Sequence, residues 1–598
     1  VAAQASHFPR FVEGARYWLQ WAGAPDSVYS RTKGADDYSD DFQSRGFWVN
    51  YLAGGSSLLP NSKGLNVPID LAMAFHSDAG SVPGDSIVGT LGICMTQFNN
   101  QRFENGQTRW VSRDLAEYIL NEVVADVRTK FDPKWTRRQL WNRSYSEARV
   151  PNVPTMLLEL LSHQNFADMR YGLDPNFRFT VSRSIYKGML KFLAQQHQTD
   201  YVVQPLPVTA FYTKFCSKDS VRLSWKPVND PSEPTARPTK YIVYTRKDNG
   251  GFDNGQIVNI NTLSLKIEKD QIYSFKVTAV NDGGESFPSE TLSVCKKSNE
   301  KGIVLIINGF DRISAPDSYD IAQENNAGFA DYVDHGVPYI NEYNYVGPQT
   351  EFNRKAPFRN NESPGFGASA SNFIGKIIAG NTFDYPYLHG KSIALAGYSF
   401  VSSSRDAVAN GSVSINKFAV VDIILGKQKQ TKSGRGFFHA KYKTFPSDFQ
   451  KKIADYCTKG GNILVSGAYI GSDLWKNGMP QTADIRFATK ILKYKLEKGR
   501  ASNKGEVETV FPGDTNQKQL FTFNQQLNDT ILAIESPDAI SPTDMRAITF
   551  MKYSENGLGA GVFYNGSYKS CVLGFPIEAV SEEVKRNELM RRLLEMMR

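Results

Sequence analysis

Long apolar runs are missing from these 598 residues. No stretch approaches the roughly 18 continuous apolar residues of a membrane-crossing helix, so no transmembrane segment is expected. Cysteine is scarce. The five, at positions 94, 216, 295, 457 and 571, contain no pair at CxxC spacing, which gives a cysteine-built zinc site no support. Cys216 and Cys295 lie near the two ends of one β-rich segment and are placed to bridge if the chain is exported. Concentrated charge of one sign is also lacking: 69 Lys and Arg stand against 61 Asp and Glu, a net +8 spread along the chain. A nucleic-acid binder would carry a dense basic stripe, so nucleic acid is not expected as a partner. The longest basic run, "KQKQTKSGRGFFHAKYK" (427–443), reads as solvated surface, compatible with anionic polymers such as cell-wall material or acidic glycans. The sequence opens at Val1 without a charged segment followed by an apolar one. An export signal is therefore expected to have been removed or never included.

What is present describes a globular chain too long for one core, with three or four domains as the natural division. Residues 1–200 alternate helical and strand patterns. "FVEGARYWLQWAGAP" (11–25) reads as a short helix stopped by Gly23 and Pro25, with Glu13 in its first turn. "SVYSRT" (27–32) is strand-like, "VPIDLAMAFH" (67–76) reads as a buried strand ending in His76, and "SIVGTLGICMTQ" (86–97) as another. Ser112 then caps a helix with Leu115, Ile119, Val123 and Val127 on one face. "TMLLEL" (155–160) is strand, and a last helix turns Val181, Ile185, Met189 and Phe192 inward. Alternation of this kind implies a mainly parallel α/β domain with helices on both faces.

Residues 205–298 change character. "SVRLSW" (220–225), "KYIVYTRK" (240–247) and "IYSFKVTAVNDGGESFPSE" (272–290) alternate with period two, which reads as a β-sandwich. Trp225, Tyr241, Tyr273, Phe275, Val277, Ala279 and Asn281, with the ending "GGESFPSE", resemble a fibronectin type III module. From 301 a second α/β domain is expected on the apolar runs "GIVLIINGF", "SIALAGYSF", "KFAVVDIILG" and "NILVSGAYIG", closed by an amphipathic helix with a Leu and Met core face.

"NVPTMLLELLSHQNFADM" (152–169) places a carboxylate, Glu159, in an apolar run, where an unpaired charge is costly. Either Glu159 points to solvent or it has chemical work. Ligands of open α/β sheets bind outside the carboxyl ends of strands, so His76 and Glu159 are candidates to share a crevice. Beside them, Asp78 and Asn165 are expected to line the site.

The series "VEGARYWLQWAGAPDSVYSRT", "SRGFWVNYLAGG", "AFHSDAG", "VPTMLLELLSHQNFADM" and "VSRSIYKGMLKFL" resembles the zinc-dependent N-acetylmuramoyl-L-alanine amidases of the amidase-3 family over about 190 residues. The resemblance implies Zn2+ held by Glu13 and His76, with Glu159 as the catalytic carboxylate. Zinc-activated water would hydrolyse the amide joining N-acetylmuramic acid to L-alanine in peptidoglycan. The family's first ligand, a His in a Gly-His-Gly-Gly-like motif, has no counterpart. Either the first strand lies upstream, or His7 substitutes as ligand, or the site is metal-deficient and the domain binds glycan or peptide without catalysis. The tail keeps Asn165 and Asp168 but has Leu160 and Leu161 where the family has Gly-Phe, and His163 reads as a loop residue.

The last domain resembles the class I glutamine amidotransferase-like, flavodoxin-like fold. "VSGAYIGSD" puts Ala468 or Tyr469 where that family carries its thiol, so a non-catalytic role is expected. The expected class is thus α/β multidomain: an amidase-like α/β domain (1–200), a fibronectin type III β-sandwich spacing the units (205–298), and a doubly wound flavodoxin-like α/β domain (301–598). The combination resembles large exported proteins of Bacteroidetes-type bacteria, some labelled xanthan lyase. That makes a polysaccharide lyase a third reading, and places the protein in the periplasm, at the outer-membrane surface or outside the cell.

Overall fold

Leu115, Ile119, Val123 and Val127 run down one side of a 21-residue helix and are fully buried, and the first unit is built on that stripe. The structure is a computed structural model and describes residues 9–82, 86–324, 326–349, 352, 370–475, 481–512 and 518–598. In chain order the first unit holds α1 (Ala15–Trp21), α2 (Asp26–Tyr29), α3 (Asp37–Ala53), β1 (Ala72–Asp78), β2 (Leu91–Cys94), α4 (Trp110–Lys130), β3 (Trp141–Asn142), α5 (Ser146–Arg149), β4 (Thr155–Ser162), α6 (Phe166–Gly172) and α7 (Pro175–His197).

The strands order as β1-β4-β2-β3. β1 runs parallel to β4 and β2 parallel to β3, while β2 is antiparallel to β4, so the sheet is mixed with one antiparallel pairing at its centre. Helices α4 and α7 cover one face, where Met156 and Leu158 meet Leu115, Ile119, Val181 and Phe192. Burying that stripe supplies the unit's main stabilisation, at about 1.5–3 kcal/mol for each large apolar side chain. The other face carries only a thin cluster of Leu91, Ile93 and Leu157, with short α5 near it.

Several local expectations are corrected. Residues 26–29 form a helical turn, started after Pro25 and burying Val28, rather than a strand. β1 is a half-exposed edge strand with Phe75 56% exposed, because no strand covers its outer side among the described residues. Ser112 does not cap α4, which starts at Trp110; its hydroxyl accepts from the Thr155 N–H at 3.1 Å and ties helix to β4.

The second unit is a sandwich. Thr209–Ser217, Ser220–Lys226 and Thr262–Lys266 pair as one sheet; Gln256–Val258, Lys240–Lys247, Ile272–Asn281 and Leu292–Cys295 form the other. Trp225 is buried between them, edge-on to Tyr241 with centroids 5.4 Å apart. Asn281 donates to the carbonyls of Val203, Thr235 and Arg237 and pins the entering chain. The sandwich is no mere spacer. Ser402 on the edge of the third unit's sheet exchanges hydrogen bonds with Thr213 and Ser293 of the sandwich, closing an edge that would otherwise expose unpaired backbone. Cys216 is exposed and Cys295 buried, and both are free thiols, so the bridge between them does not form.

In the third unit five parallel strands stand in the order Ser399–Ser404, Ile303–Asn308, Val420–Ile424, Asn462–Ser466, Lys569–Leu573. Numbered along the chain, that order is 2-1-3-4-5, continued by antiparallel strands from Gly559–Asn565 onward. Leu305, Val421 and Val465 face helix Ser447–Thr458, whereas Val304, Ile306 and Leu464 face helices Tyr385–Leu395 and Glu583–Met596. Burial on both faces is why these strands read as unbroken apolar runs. The closing helix buries Leu589, Met590, Leu593 and Leu594, as its pattern requires.

Candidate functional site

Side chains alternate across a strand, so the residues that avoid the helix-covered face of the first sheet must share the other. On that thin face Ala74 and His76 of β1 stand beside Leu157 and Glu159 of β4, with Leu91 and Ile93 of β2 beyond. His76 and Glu159 are direct Cα partners, and Leu91 partners Glu159 from the other side. Glu159 therefore interrupts the apolar run without entering the main core.

His76 is held from outside the strand. Its Nε2 lies 3.1 Å from a carboxylate oxygen of Glu147 on α5, which also accepts from Arg45 of α3 at 3.1 Å. Arg45 in turn donates to Asp41 at 2.9 Å. These groups border a cleft of about 370 Å³ lined by Arg45, Val49, Phe75, His76, Glu147 and Thr155 among others. Glu147 carried no signal in the sequence: "SYSEARV" is an ordinary short helix start, and only the fold brings it to His76.

The charges respond to that packing. The hydrogen bond to Glu147 raises the His76 imidazole above its ordinary value, against a smaller opposing effect of burial. Burial alone would raise the Glu147 carboxyl, but its bonds to His76 and Arg45 outweigh that and lower it. Glu159 is raised, chiefly by desolvation; His76 and Arg138 oppose, while Asp78 and Glu147 add. Its Oε2 is buried and has no hydrogen-bond partner.

The other expected residues separate. Asp78 pairs with Arg138 at 2.6 Å, and His163 Nδ1 lies 3.2 Å from the Ser77 hydroxyl. Asn165 is structural: buried, it donates to the Ser86 carbonyl and to Asp168. Asp168 accepts from the N–H groups of Val88, Gly89 and Ser162, tying the loop before β2 to the end of β4. Glu13 is not in the first turn of α1. It is an exposed residue closing the 3-10 turn Arg10–Val12, and it does not line the cleft. His7 lies outside the described residues.

A catalytic zinc takes three protein ligands and keeps one position open. Among the described residues no group of three His, Cys, Asp or Glu is arranged to hold a metal. His76 already spends Nε2 on Glu147, whose other neighbour is a guanidinium. The described donors do not fit a zinc centre. What the arrangement offers is a mixed-charge cleft beside a half-buried carboxylate with one unsatisfied oxygen. Among the described residues no helix is long and apolar enough to cross a membrane.

Residues 206–294 match the family model of the Fibronectin type III domain. No curated protein matches the chain. Among solved structures, the twitchin kinase region from C. elegans is 21% identical, over 16% of this chain and 17% of that one, with a TM-score of 0.15. Titin domains A168–A170 are 24% identical over 16% of this chain and 33% of theirs, at 0.14. The FN5 domain of Drosophila Lar is 17% identical over 16% of this chain and 98% of its own, at 0.13. Scores this low carry no argument. With a buried Trp225 between two antiparallel sheets and a matching family model, residues 206–294 are a Fibronectin type III domain.

Proposed function

We propose that this is an exported, multidomain envelope protein whose first unit, an amidase-type α/β fold, binds glycan or peptide without zinc hydrolysis. One observation carries the reading: Glu147, with Arg45 behind it, engages His76 Nε2, one of the two ring nitrogens through which an imidazole can hold a metal. Cation, imidazole and carboxylate at the rim of a cleft suit hydrogen bonding to a polar ligand such as a cell-wall glycan or its stem peptide. The third unit is read as flavodoxin-like, supported by its 2-1-3-4-5 strand order. Ala468 and Tyr469, both buried after strand Asn462–Ser466, are the two positions that the resemblance offers for an amidotransferase thiol, and neither is a cysteine, so that chemistry is not proposed.

Hydrolysis at the amide between N-acetylmuramic acid and L-alanine is the second reading. It is favoured by the buried, partnerless Oε2 of Glu159, the type of group a general base provides. The two separate in one experiment on the purified chain, combining metal analysis, muropeptide binding with and without chelator, and product detection. Muropeptide binding that survives the chelator, with no stoichiometric zinc, supports the binding reading. Stoichiometric zinc with release of L-alanyl peptides overturns it.

A further inference from the structure

A groove opens where the first and third units meet, at the ends of strands Ile303–Asn308 and Val420–Ile424. These strands are neighbours in the sheet but first and third of the five along the chain, so the segments leaving them diverge. Open α/β sheets present their binding crevice at such a point. Residues 313–318 leave the one strand, residues 429–442 leave the other, and together with α6 and α7 they border about 480 Å³. A wider, more apolar trough of about 950 Å³ continues from it, sharing Lys130, Phe438, His439 and Lys441 and running past Phe287 and Tyr339. The segment 429–442 belongs to the basic run that composition alone left as solvated surface.

That run is folded into a fixed loop. Thr431 and Lys441 exchange backbone hydrogen bonds at 2.8 and 2.9 Å and close it at its base. Buried Arg312 donates to the Thr431 hydroxyl and the Lys427 carbonyl, and is itself paired with Asp334 at 2.6 Å. The tip docks on the first unit: the Arg435 N–H donates to the Tyr171 hydroxyl at 3.0 Å, and its guanidinium meets Asp132 at 3.1 Å. The Tyr442 hydroxyl donates to Asn176 at 2.8 Å. The backbone of a loop anchored at both ends loses little freedom when a ligand arrives.

Six Lys and Arg line the smaller cavity against two Asp. Lys429 is committed to Asp317 and Asp334. Lys432 and Lys441 are exposed, and neither makes an ion pair among the described residues. Phe438 of the same loop, 42% exposed, lines both cavities. Hydroxyl and amide groups of Ser314, Thr431, Ser433 and Asn176 complete the lining. Spaced cations select separated anions, an exposed ring accepts the apolar face of a sugar, and hydroxyl and amide groups hydrogen-bond its hydroxyls. We infer that this groove binds a carboxylate-bearing oligosaccharide. The site lies apart from the His76 cleft and does not depend on how that cleft is read.

The test titrates the full chain calorimetrically with a short oligogalacturonate, with the same oligomer methyl-esterified, and with a poly-glutamate peptide. The acid form binds, esterification weakens it by roughly tenfold or more, and added salt weakens it further. Lys432→Glu combined with Lys441→Glu lowers affinity by a similar factor, while thermal unfolding and muropeptide binding stay as in the parent. Because both side chains are exposed, the single Lys432→Ala and Lys441→Ala variants provide a second measurement, each expected to weaken binding in part. Equal binding of acid and ester, binding of neither, or indifference to the charge reversal overturns the inference. Poly-glutamate binding as tightly as oligogalacturonate also overturns it and assigns the groove to acidic protein.

Discussion

His76 and Glu147 are 71 residues apart in the chain, yet Nε2 and Oε1 meet at 3.1 Å. The contact favours the imidazolium, so its stabilisation is complete below the ordinary histidine value of 6.5 and is lost as pH rises through the raised folded value. Glu147→Gln should move the His76 ring titration, followed by NMR and assigned with a His76→Asn control, down toward 6.5. The stability cost at pH 6 is expected to be about 1 kcal/mol or less, because solvent screens a partly exposed pair. An unchanged titration would show that Glu147 does not set the charge of His76.

Glu159 titrates in the opposite chemical sense but with the same pH dependence. Desolvation raises its carboxyl above 4.5, so folding favours the protonated form, and that advantage fades as pH rises through the raised value. Glu159→Gln keeps the shape and removes the titration. In urea unfolding the variant should equal the parent below pH 4.5 and exceed it above the raised value, by no more than about 1 kcal/mol after screening. A variant less stable than the parent at pH 8 would mean the ionised carboxylate has a stabilising partner.

Periodicity made the long elements legible, because burial follows directly from it. Leu115, Ile119, Val123 and Val127 are buried as their spacing requires, and the sandwich around Trp225 lies where alternation put it. Pairing across distance was not legible. The line "LLEL" shows that Glu159 interrupts an apolar run, but only the register of β1 against β4 places His76 beside it. Glu147 enters through α5, the edge character of β1 depends on which strands exist to cover it, and Pro25 turns 26–29 into helix where β-branched residues suggested strand. The basic run 427–443 was visible as composition, while its docking needs Tyr171, 264 residues from Arg435.

His389 lies between two carboxylates with no access to water, Nδ1 at 2.7 Å from Asp422 and Nε2 at 3.2 Å from Glu578. Burial alone would lower the imidazole, but the attraction and hydrogen bonds of the two carboxylates raise it to about 9. The opposite oxygens, Asp422 Oδ1 and Glu578 Oε1, are buried without partners, so the imidazolium is the group that compensates them. Its contribution is complete below 6.5 and is lost as pH climbs through about 9. His389→Ala leaves two buried carboxylates uncompensated and should cost about 3–5 kcal/mol at neutral pH. Chemical denaturation from pH 6 to 10 should show the parent losing stability across that window, so that its advantage over the variant shrinks toward pH 10.

Gly434 holds the basic loop against the first unit. Its backbone takes φ +49, and a Cβ there would fall 1.9 Å from the Tyr171 ring, so even alanine forces loop and ring apart. Tyr171 is fully buried and cannot retreat without disturbing Phe131, Trp135 and Phe177 around it. Gly434→Ala should therefore undock the tip rather than compress the core, at a cost of about 1–3 kcal/mol. Undocking frees the backbone around Lys432, Arg435 and Lys441, so trypsin should cut there faster than in the parent while the rest of the chain resists. Arg435→Gln removes the guanidinium pair with Asp132 but leaves the backbone contact with Tyr171, and should raise cleavage at Lys432 and Lys441 less. Equal digestion of all three proteins would show that the loop is held by contacts other than the Gly434–Tyr171 fit.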